Sequence, residues 1–341
     1  MGRARPGTLN LITDVAGIAV GNAEDHRLLS GVTVVLPDEP AEAVVELRGG
    51  APGTRETDAL DPTALAGQAH AVVLAGGSVF GLDAASGVTD ALAARGIGFR
   101  FRAQPLACPV VPAAILFDLL NGGDKDFAGN PPYARLGREA LDNAAATFAL
   151  GNAGAGYGAI CGRLKGGLGS ASAVLEGFTV GALVAVNSFG AAVNPATGAL
   201  WAEPFALDGE FGREHRRRPA DEPWHAVFAG SKLDRDEPPP PGQSTTIAVV
   251  ATDALLSKAE LSRFAIMAAD GLPRAIRPIH TPFDGDCVFG LATARQALPE
   301  PHSRALAALG TLAADALARA VGRALWEATA IPGWPPYRLS R

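Results

Sequence analysis

The sequence is poor in charge. Asp, Glu, Lys and Arg make up 19% of its 341 residues and leave a formal net charge of −6 at pH 7. No block of basic residues dominates, which disfavours nucleic-acid binding. The one basic run, Arg213 to Arg218, is short, is followed at once by Asp221 and Glu222, and reads as a solvated loop. Cysteine is scarce too. Cys108, Cys161 and Cys287 form no CxxC pair and no metal-ligand spacing, so a reduced, cytoplasmic protein is expected. The first ten residues (MGRARPGTLN) lack the apolar stretch of a secretion signal, and no run of 18 apolar residues suggests a membrane span.

Several kinds of chemistry are missing as well. The six histidines are scattered, with no HxxxH or HExxH among them, so no zinc site is expected. No GxSxG elbow is present, which removes the usual serine-hydrolase arrangement. GNAGAGYG and AGGSVFG match neither GxxxxGK[ST] nor GxGxxG with a trailing acidic residue, so a nucleotide is not expected and no cofactor is called for. These glycines read as tight turns and close backbone packing, or as exposed N–H groups lining an oxyanion pocket.

What is present is a large apolar fraction, 48%, together with 41 glycines. The length allows one large domain or two ordinary ones, and no internal repeat is evident. Residues 31–36 and 41–47 read as short strands around a turn at Pro37–Pro40. Val72–Leu74 read as a buried strand, Gly76–Gly77 as a turn, and Leu82, Ala85, Val88 and Leu92 as the apolar stripe of a helix ended by Gly96. A further helix is expected around 134–148. Residues 178–193 are strand-like, and 199–205 are expected to pair with them across the turn at 194–198. The stretch 208–243 is polar, ends in four prolines (Pro238–Pro241) and reads as an exposed linker. Directly after it, 244–252 is a β-branched run typical of a buried strand. Helices follow at 257–271, opened by a Ser257/Glu260 capping box, and at 302–327, with a strand at 287–293 between them. Strands paired as hairpins beside long helices suggest an α+β layered sandwich rather than a doubly wound sheet.

Two local features carry chemistry. Ser244-Thr245-Thr246 stands at the junction of linker and buried strand. Asp284-Gly285-Asp286 places two carboxylates two residues apart, and Gly285 allows the loop to bend so that both face one site; a calcium-type or plain turn loop is the competing reading.

The segment 245–293 (TTIAVVATDALLSKAELSRFAIMAADGLPRAIRPIHTPFDGDCVFGLAT) resembles the C-terminal chain of the L-aminopeptidase/D-esterase family, which includes β-aminopeptidases and nylon-oligomer hydrolases. AGGSVFGLDAASGV (75–88), GNAGAGYGAICGRLKGGLGSAS (151–172) and GALVAVNSFG (181–190) resemble the family's other signatures, in the expected order. The resemblance spans about residues 10–330. It implies a four-layer αββα sandwich over 1–341 that cuts itself into a large chain, 1–244, and a small chain, 245–341. It also implies a homotetramer of such processed pairs, acting on a small peptide or amide. By motif position Thr245 is the implied nucleophile, Asp284 and Asp286 the catalytic acidic pair, and Asn187 the oxyanion donor. Nylon-hydrolase-like members carry a lysine at the position of Arg163. Here the lysine comes two residues later, so the basic role lies open between Arg163 and Lys165. Ser244 stands where Asn or Gly is common before the nucleophile.

Two other classes fit the same residues. A self-processing acyltransferase of the ornithine acetyltransferase type would pass the acyl group to an amine instead of water. A silent binding protein would never be cleaved, and its Ser244–Thr246 would simply begin a strand.

Overall fold

The computed structural model describes residues 2–101, 105–212, 227–234 and 243–339. The basic run Arg213–Arg218 and the proline run Pro238–Pro241 lie outside the described residues. In the first half of the chain the elements are β1 (Ile18–Asp25), β2 (Ser30–Pro37), β3 (Ala41–Leu47), β4 (Thr54–Arg55), β5 (Gln68–Ala69), β6 (Val72–Ala75), α1 (Asp83–Ala94), β7 (Ala113–Ile115) and α2 (Tyr133–Asp142). The second half adds β8 (Ile160–Cys161), β9 (Leu164–Lys165), β10 (Gly167–Leu175), β11 (Phe178–Asn187), β12 (Thr245–Leu255), α3 (Lys258–Ala269), α4 (Gly271–Ala275), β13 (Cys287–Ala297) and α5 (His302–Glu327).

Two sheets face each other. One has the order β1-β2-β6-β7-β4, the other β10-β11-β12-β13-β3-β5. Three separate apolar clusters define three interfaces, and hence four layers. Leu74 and Val35 of the first sheet meet Leu183, Ile247, Val249 and Phe289 of the second between the sheets. Val184, Val250 and Val288 pack outward against Phe264, Leu317 and Val321 of the helices. Val32, Val34 and Val73 pack outward against Val88, Leu92 and Leu136. This is the expected αββα sandwich. Successive residues of a strand point to opposite faces, so a strand covered on both sides must be apolar at every position. That is why 247–251 is an unbroken run, Ile-Ala-Val-Val-Ala, of fully buried residues.

The glycine-dense stretch 151–172 earns its composition where α5 lies on β10. A Cβ on Gly169 would fall 1.9 Å from the Ala320 carbonyl oxygen, so a glycine there lets the helix backbone reach the sheet. Helix α5 is long and apolar enough to cross a membrane by length and composition, but 67% of its most apolar window is buried inside the protein.

Some expectations change. β2 and β3 are not a hairpin pair: the turn at Asp38–Pro40 carries the chain from one sheet to the other. Residues 199–205 do not form a strand along β11. Only Val193 and Leu200 make a bridge, and Glu203–Phe205 coil into a 3-10 turn with Pro204 inside it, because proline offers no N–H to a ladder. The helix expected at 134–148 stops at Asp142, and the one expected at 257–271 breaks at Asp270 into α3 and α4. The Ser257/Glu260 capping box is present as expected.

Candidate active site

The site is assembled at the start of β12. β12 and β13 are parallel neighbours, so their N-terminal ends lie side by side, with Ile247 opposite Cys287. The loop before β13 continues that register: Ser244 bridges Asp284 in parallel fashion. β11 runs antiparallel to β12 and ends with Asn187 opposite Thr245. Three segments far apart in sequence are thus brought together by strand pairing alone.

Thr245 is 3% exposed and folds back on the peptide that precedes it. Its Oγ1 donates to the Ser244 carbonyl oxygen at 2.5 Å. The Gly285 N–H donates to the same oxygen at 2.9 Å. Any side chain at Gly285 would intrude here, since its Cβ would lie 2.5 Å from the Ala51 carbonyl oxygen and 2.9 Å from Thr245 Oγ1. The glycine between the two aspartates therefore has two functions: it keeps space for the hydroxyl and supplies a donor to the carbonyl in front of it.

Both aspartates are fully buried. Asp284 accepts from the Phe189 N–H through Oδ1 and from the Thr281 N–H and hydroxyl through Oδ2. Asp286 accepts from the Thr246 N–H at 2.6 Å, and its other oxygen meets the His280 N–H at 3.1 Å and His280 Nδ1 at 2.9 Å. Burial, and then the charge of Asp286, raise the Asp284 carboxyl to about 6, against the lowering effect of its hydrogen bonds. A carboxyl of this kind exchanges its proton close to neutral pH. The competing reading of a solvated turn or calcium loop does not describe this segment, because a fully buried pair satisfied by backbone donors is not a surface loop.

Asn187 is buried, and its side chain is fully engaged. Oδ1 accepts from the Ile160 N–H, while Nδ2 donates to the Phe117 carbonyl at 2.9 Å and the Gln243 carbonyl at 3.5 Å. It holds the peptide one residue ahead of Ser244, and the backbone donor on the Ser244 carbonyl is the Gly285 N–H, so Asn187 does not contact the carbonyl it was expected to serve.

The two basic candidates part company. Arg163 lies half exposed and pairs with Asp234 at 3.1 Å. Lys165 is completely buried in the β8–β9 ribbon, with Nζ donating to the Gly156 and Gly166 carbonyls at 2.9 and 3.0 Å. Burial pulls its ammonium down to about 7, opposed by the charge of Asp118. Asp118 is itself buried, held by Ser30 Oγ and the Gly77 N–H.

Two contributors had no signal in the sequence. His280 is one of six scattered histidines, and only the turn at 280–284 puts it on Asp286. Lys232 falls within the stretch read as linker, yet its Nζ reaches Ser244 Oγ at 3.1 Å, Asn187 O at 3.4 Å and Gln243 O at 3.5 Å.

A buried hydroxyl at a strand start, aimed at its own preceding peptide and flanked by buried carboxylates, is the local geometry of amide-cleaving chemistry. The family model of peptidase family S58 matches residues 10–335. The chain belongs to peptidase family S58. As a member it is a hydrolase of peptide or linear amide bonds. It is 43% identical to an uncharacterized aminopeptidase of Mycobacterium tuberculosis over 97% of both chains. It is 30% identical to a 6-aminohexanoate-oligomer endohydrolase of Kocuria sp., over 92% of this chain and 83% of that one. Among solved structures it is similar to a Burkholderia sp. β-aminopeptidase, with a TM-score of 0.67, 26% identity, and coverage of 96% of this chain and 89% of that one. The L-aminopeptidase D-Ala-esterase/amidase of Ochrobactrum anthropi, described as a variant of the Ntn hydrolase fold, gives a TM-score of 0.66 at 25% identity, covering 96% and 89%.

In this S58 peptidase the two basic residues are separable by experiment. Arg163→Ala should change turnover by less than about threefold, because an exposed ion pair is worth about 0–1 kcal/mol. Lys165→Met removes the ammonium donor from the buried Gly156 and Gly166 carbonyls, of which Gly156 keeps only the Ala159 N–H. It should cost about 1–3 kcal/mol of stability and, if the lysine moves a proton, at least about 100-fold in turnover, the lower end for a positioned acid–base group. Thermal melts and kcat/KM on both variants check this, and matching small losses would remove the basic role from both residues.

Proposed function

We propose that this chain cleaves itself between Ser244 and Thr245 and then hydrolyses amide bonds of small peptides, amino-acid amides or oligomers with Thr245 as N-terminal nucleophile. The observation that carries this reading is the Thr245 hydroxyl 2.5 Å from the Ser244 carbonyl oxygen, with the Gly285 N–H on that same oxygen.

The chemistry follows from these atoms. Thr245 Oγ1 gives up its proton and attacks the Ser244 carbonyl carbon through a five-membered ring. Negative charge then develops on the oxygen that Gly285 already contacts, and one such donor is typically worth about 3 kcal/mol. The C–N bond breaks, the Thr245 nitrogen takes a proton, and an ester joins the Ser244 carbonyl to Oγ1. Water hydrolyses the ester, leaving a carboxylate on Ser244 and a free hydroxyl and amine on Thr245. That amine has an ordinary pKa of about 7.7–8.0, so it serves as a base near neutrality. A substrate amide then passes through the same acyl-ester on Oγ1, and its amine leaves with a proton. Asp284 is poised to take part in these proton transfers, and the buried pair, together with the Phe283 carbonyl, offers acceptors for a substrate ammonium.

Denaturing mass analysis of the purified chain tests the first step. It should show one fragment ending at Ser244 and one running from Thr245 to Arg341. A new N-terminus at Ser244 or Thr246 moves the nucleophile, and an intact chain that is active overturns the mechanism. Release of a free acid, rather than transfer of the acyl group to an added amine, separates a hydrolase from an acyltransferase.

A further inference from the structure

The two carboxylates of the acidic pair differ in one partner. Asp284 is held by the Phe189 N–H and by the N–H and hydroxyl of Thr281, all of them neutral. Asp286 is held by the Thr246 N–H on one oxygen and, on Oδ2, by the N–H and ring Nδ1 of His280 at 3.1 and 2.9 Å. Of these partners only the imidazole can carry a charge. An ionised carboxylate only accepts, so the ring presents Nδ1–H to it, and that contact fixes the tautomer. The His280 side chain is 23% exposed while that of Asp286 is 0% exposed. A positive charge on the ring is thus solvated on one side and meets the carboxylate on the other.

The backbone is shaped for this contact. His280 has φ +57, in the left-handed region that most side chains avoid and histidine enters more readily. This conformation turns its N–H and its ring towards the same oxygen. The segment is fixed on both sides: Arg277 exchanges two backbone hydrogen bonds with Ala191, and Thr281 is tied to the Gly50 N–H and to Asp284. The other charged groups on the elements packed here are Arg277 on the same segment, Arg48, which pairs with Glu46 and whose N–H donates to the Asp286 carbonyl, and Lys232 beside Ser244. Cleavage would add the Thr245 amine.

Two carboxylates sharing one buried site resist being ionised together. A donor on one of them favours its ionised form and leaves the other to take the proton. In the hydrolysis, the proton released by Thr245 Oγ1 is taken by the Thr245 amine or by the pair, and is given back to the leaving nitrogen as its bond to the acyl carbon breaks. We propose that His280 is a positioning residue for this step: its Nδ1–H keeps Asp286 ionised, so that the proton held by the pair sits on Asp284 and returns from there to the leaving amine. His280 itself neither gains nor loses that proton. The proposal rests on the Thr245 reading above.

The test uses the full chain, verified as cleaved by mass, with alanine p-nitroanilide as substrate at about pH 5.5 and pH 7. The ratio of kcat/KM at the two pH values is the readout, because groups that titrate alike in every variant cancel from the comparison. His280→Phe keeps a ring and removes the donor, so the pair should hold its proton to a pH about one unit higher. The ratio of the rate at pH 7 to that at pH 5.5 should then rise at least about threefold. His280→Asn offers an amide N–H in place of Nδ1 and tolerates the left-handed backbone, so its ratio should lie closer to wild type than to His280→Phe. An unchanged ratio in His280→Phe, even with a lower rate, overturns the proposal, and so does an Asn variant no nearer to wild type. If His280→Phe fails to cleave itself, NMR of wild type labelled with ¹⁵N-histidine decides. The His280 ring, identified by its loss in His280→Asn, should carry a proton on Nδ1 from about pH 5.5 to pH 8, and an Nδ1 without one at pH 8 overturns the proposal. A wild-type chain that never cleaves, or activity that survives Thr245→Ala, defeats the nucleophile reading and this role with it. A cleaved, Thr245-dependent enzyme whose ratio ignores His280 defeats only the role of His280.

Discussion

Thr245→Ala should remain a single uncleaved chain with no measurable amidase activity. The variant keeps the strand, the Gly285 N–H and both aspartates but removes the one oxygen that faces the Ser244 carbonyl at 2.5 Å. The loss should reach at least about 10⁴-fold in turnover, since removing a nucleophile from a unit that works together costs nearly the whole of its contribution. Thr245→Ser keeps the oxygen and loses only a methyl group, so it should retain part of both activities. Its buried site makes a small stability loss of about 1 kcal/mol reasonable. Thr246 supplies the control. It is the next residue along β12, its side chain points to the opposite face, and its buried hydroxyl meets no hydrogen-bond partner among the described residues. Thr246→Val should therefore cleave normally and melt no lower than the wild type. Mass analysis and product release measure both properties. Cleavage of Thr245→Ala at the same bond would falsify the assignment of the nucleophile.

The second large effect is expected at the acidic pair. Asp284→Asn and Asp286→Asn should each lower turnover at least about 100-fold, and the double variant should lose much less than the product of the two. Sequence considerations alone suggest nearly normal melting for these isosteric changes, but the structure alters that expectation. Every oxygen of both carboxylates accepts a hydrogen bond from a backbone or side-chain donor. An amide NH₂ in either position would face a donor, so each variant should also lose about 1–3 kcal/mol. Activity must be compared well below the melting point of both. Near-normal turnover in both single variants would leave Thr245 relying on its own amine and the Gly285 N–H.

The pH dependence has a definite sign. The Asp284 carboxyl is raised in the fold from 3.8 to about 6. The folded chain therefore binds this proton more tightly than the unfolded chain across that interval. Stability from this group is highest below about 4 and declines as pH rises to about 6. Asp284→Asn should remove that part of the slope, as urea titrations at several pH values would show. Turnover should move the other way, rising through pH 6 as the carboxylate forms.

Much of this was legible in the chain itself, and the reason is local. Helix α5 and the capped start of α3 follow from apolar spacing and from Ser257 and Glu260. β12 follows from an unbroken β-branched run, because a strand covered on both faces has no polar positions to spare. The place of Thr245 follows from the same run meeting a polar, proline-ended stretch. Asp284 and Asp286 stood out as a pair around a glycine, and their roles came from resemblance to a family rather than from spacing.

What the sequence did not contain was partnership. The runs 31–36 and 41–47 are both short, apolar and adjoining, yet they belong to different sheets, since neither shows a clean alternation that would tell which side it faces. Only the parallel pairing of β12 with β13 brings the acidic loop to Thr245, and only the antiparallel end of β11 brings Asn187 there. The Gly285 N–H on the Ser244 carbonyl, His280 on Asp286, and Lys232 on Ser244 are contacts between residues whose own neighbours in sequence say nothing of them. Composition and periodicity determined which residues are buried and in what element. The tertiary structure decided which buried groups meet, because a hydrogen bond is set by the position of its partner, and that position is fixed by strand order across the whole sheet.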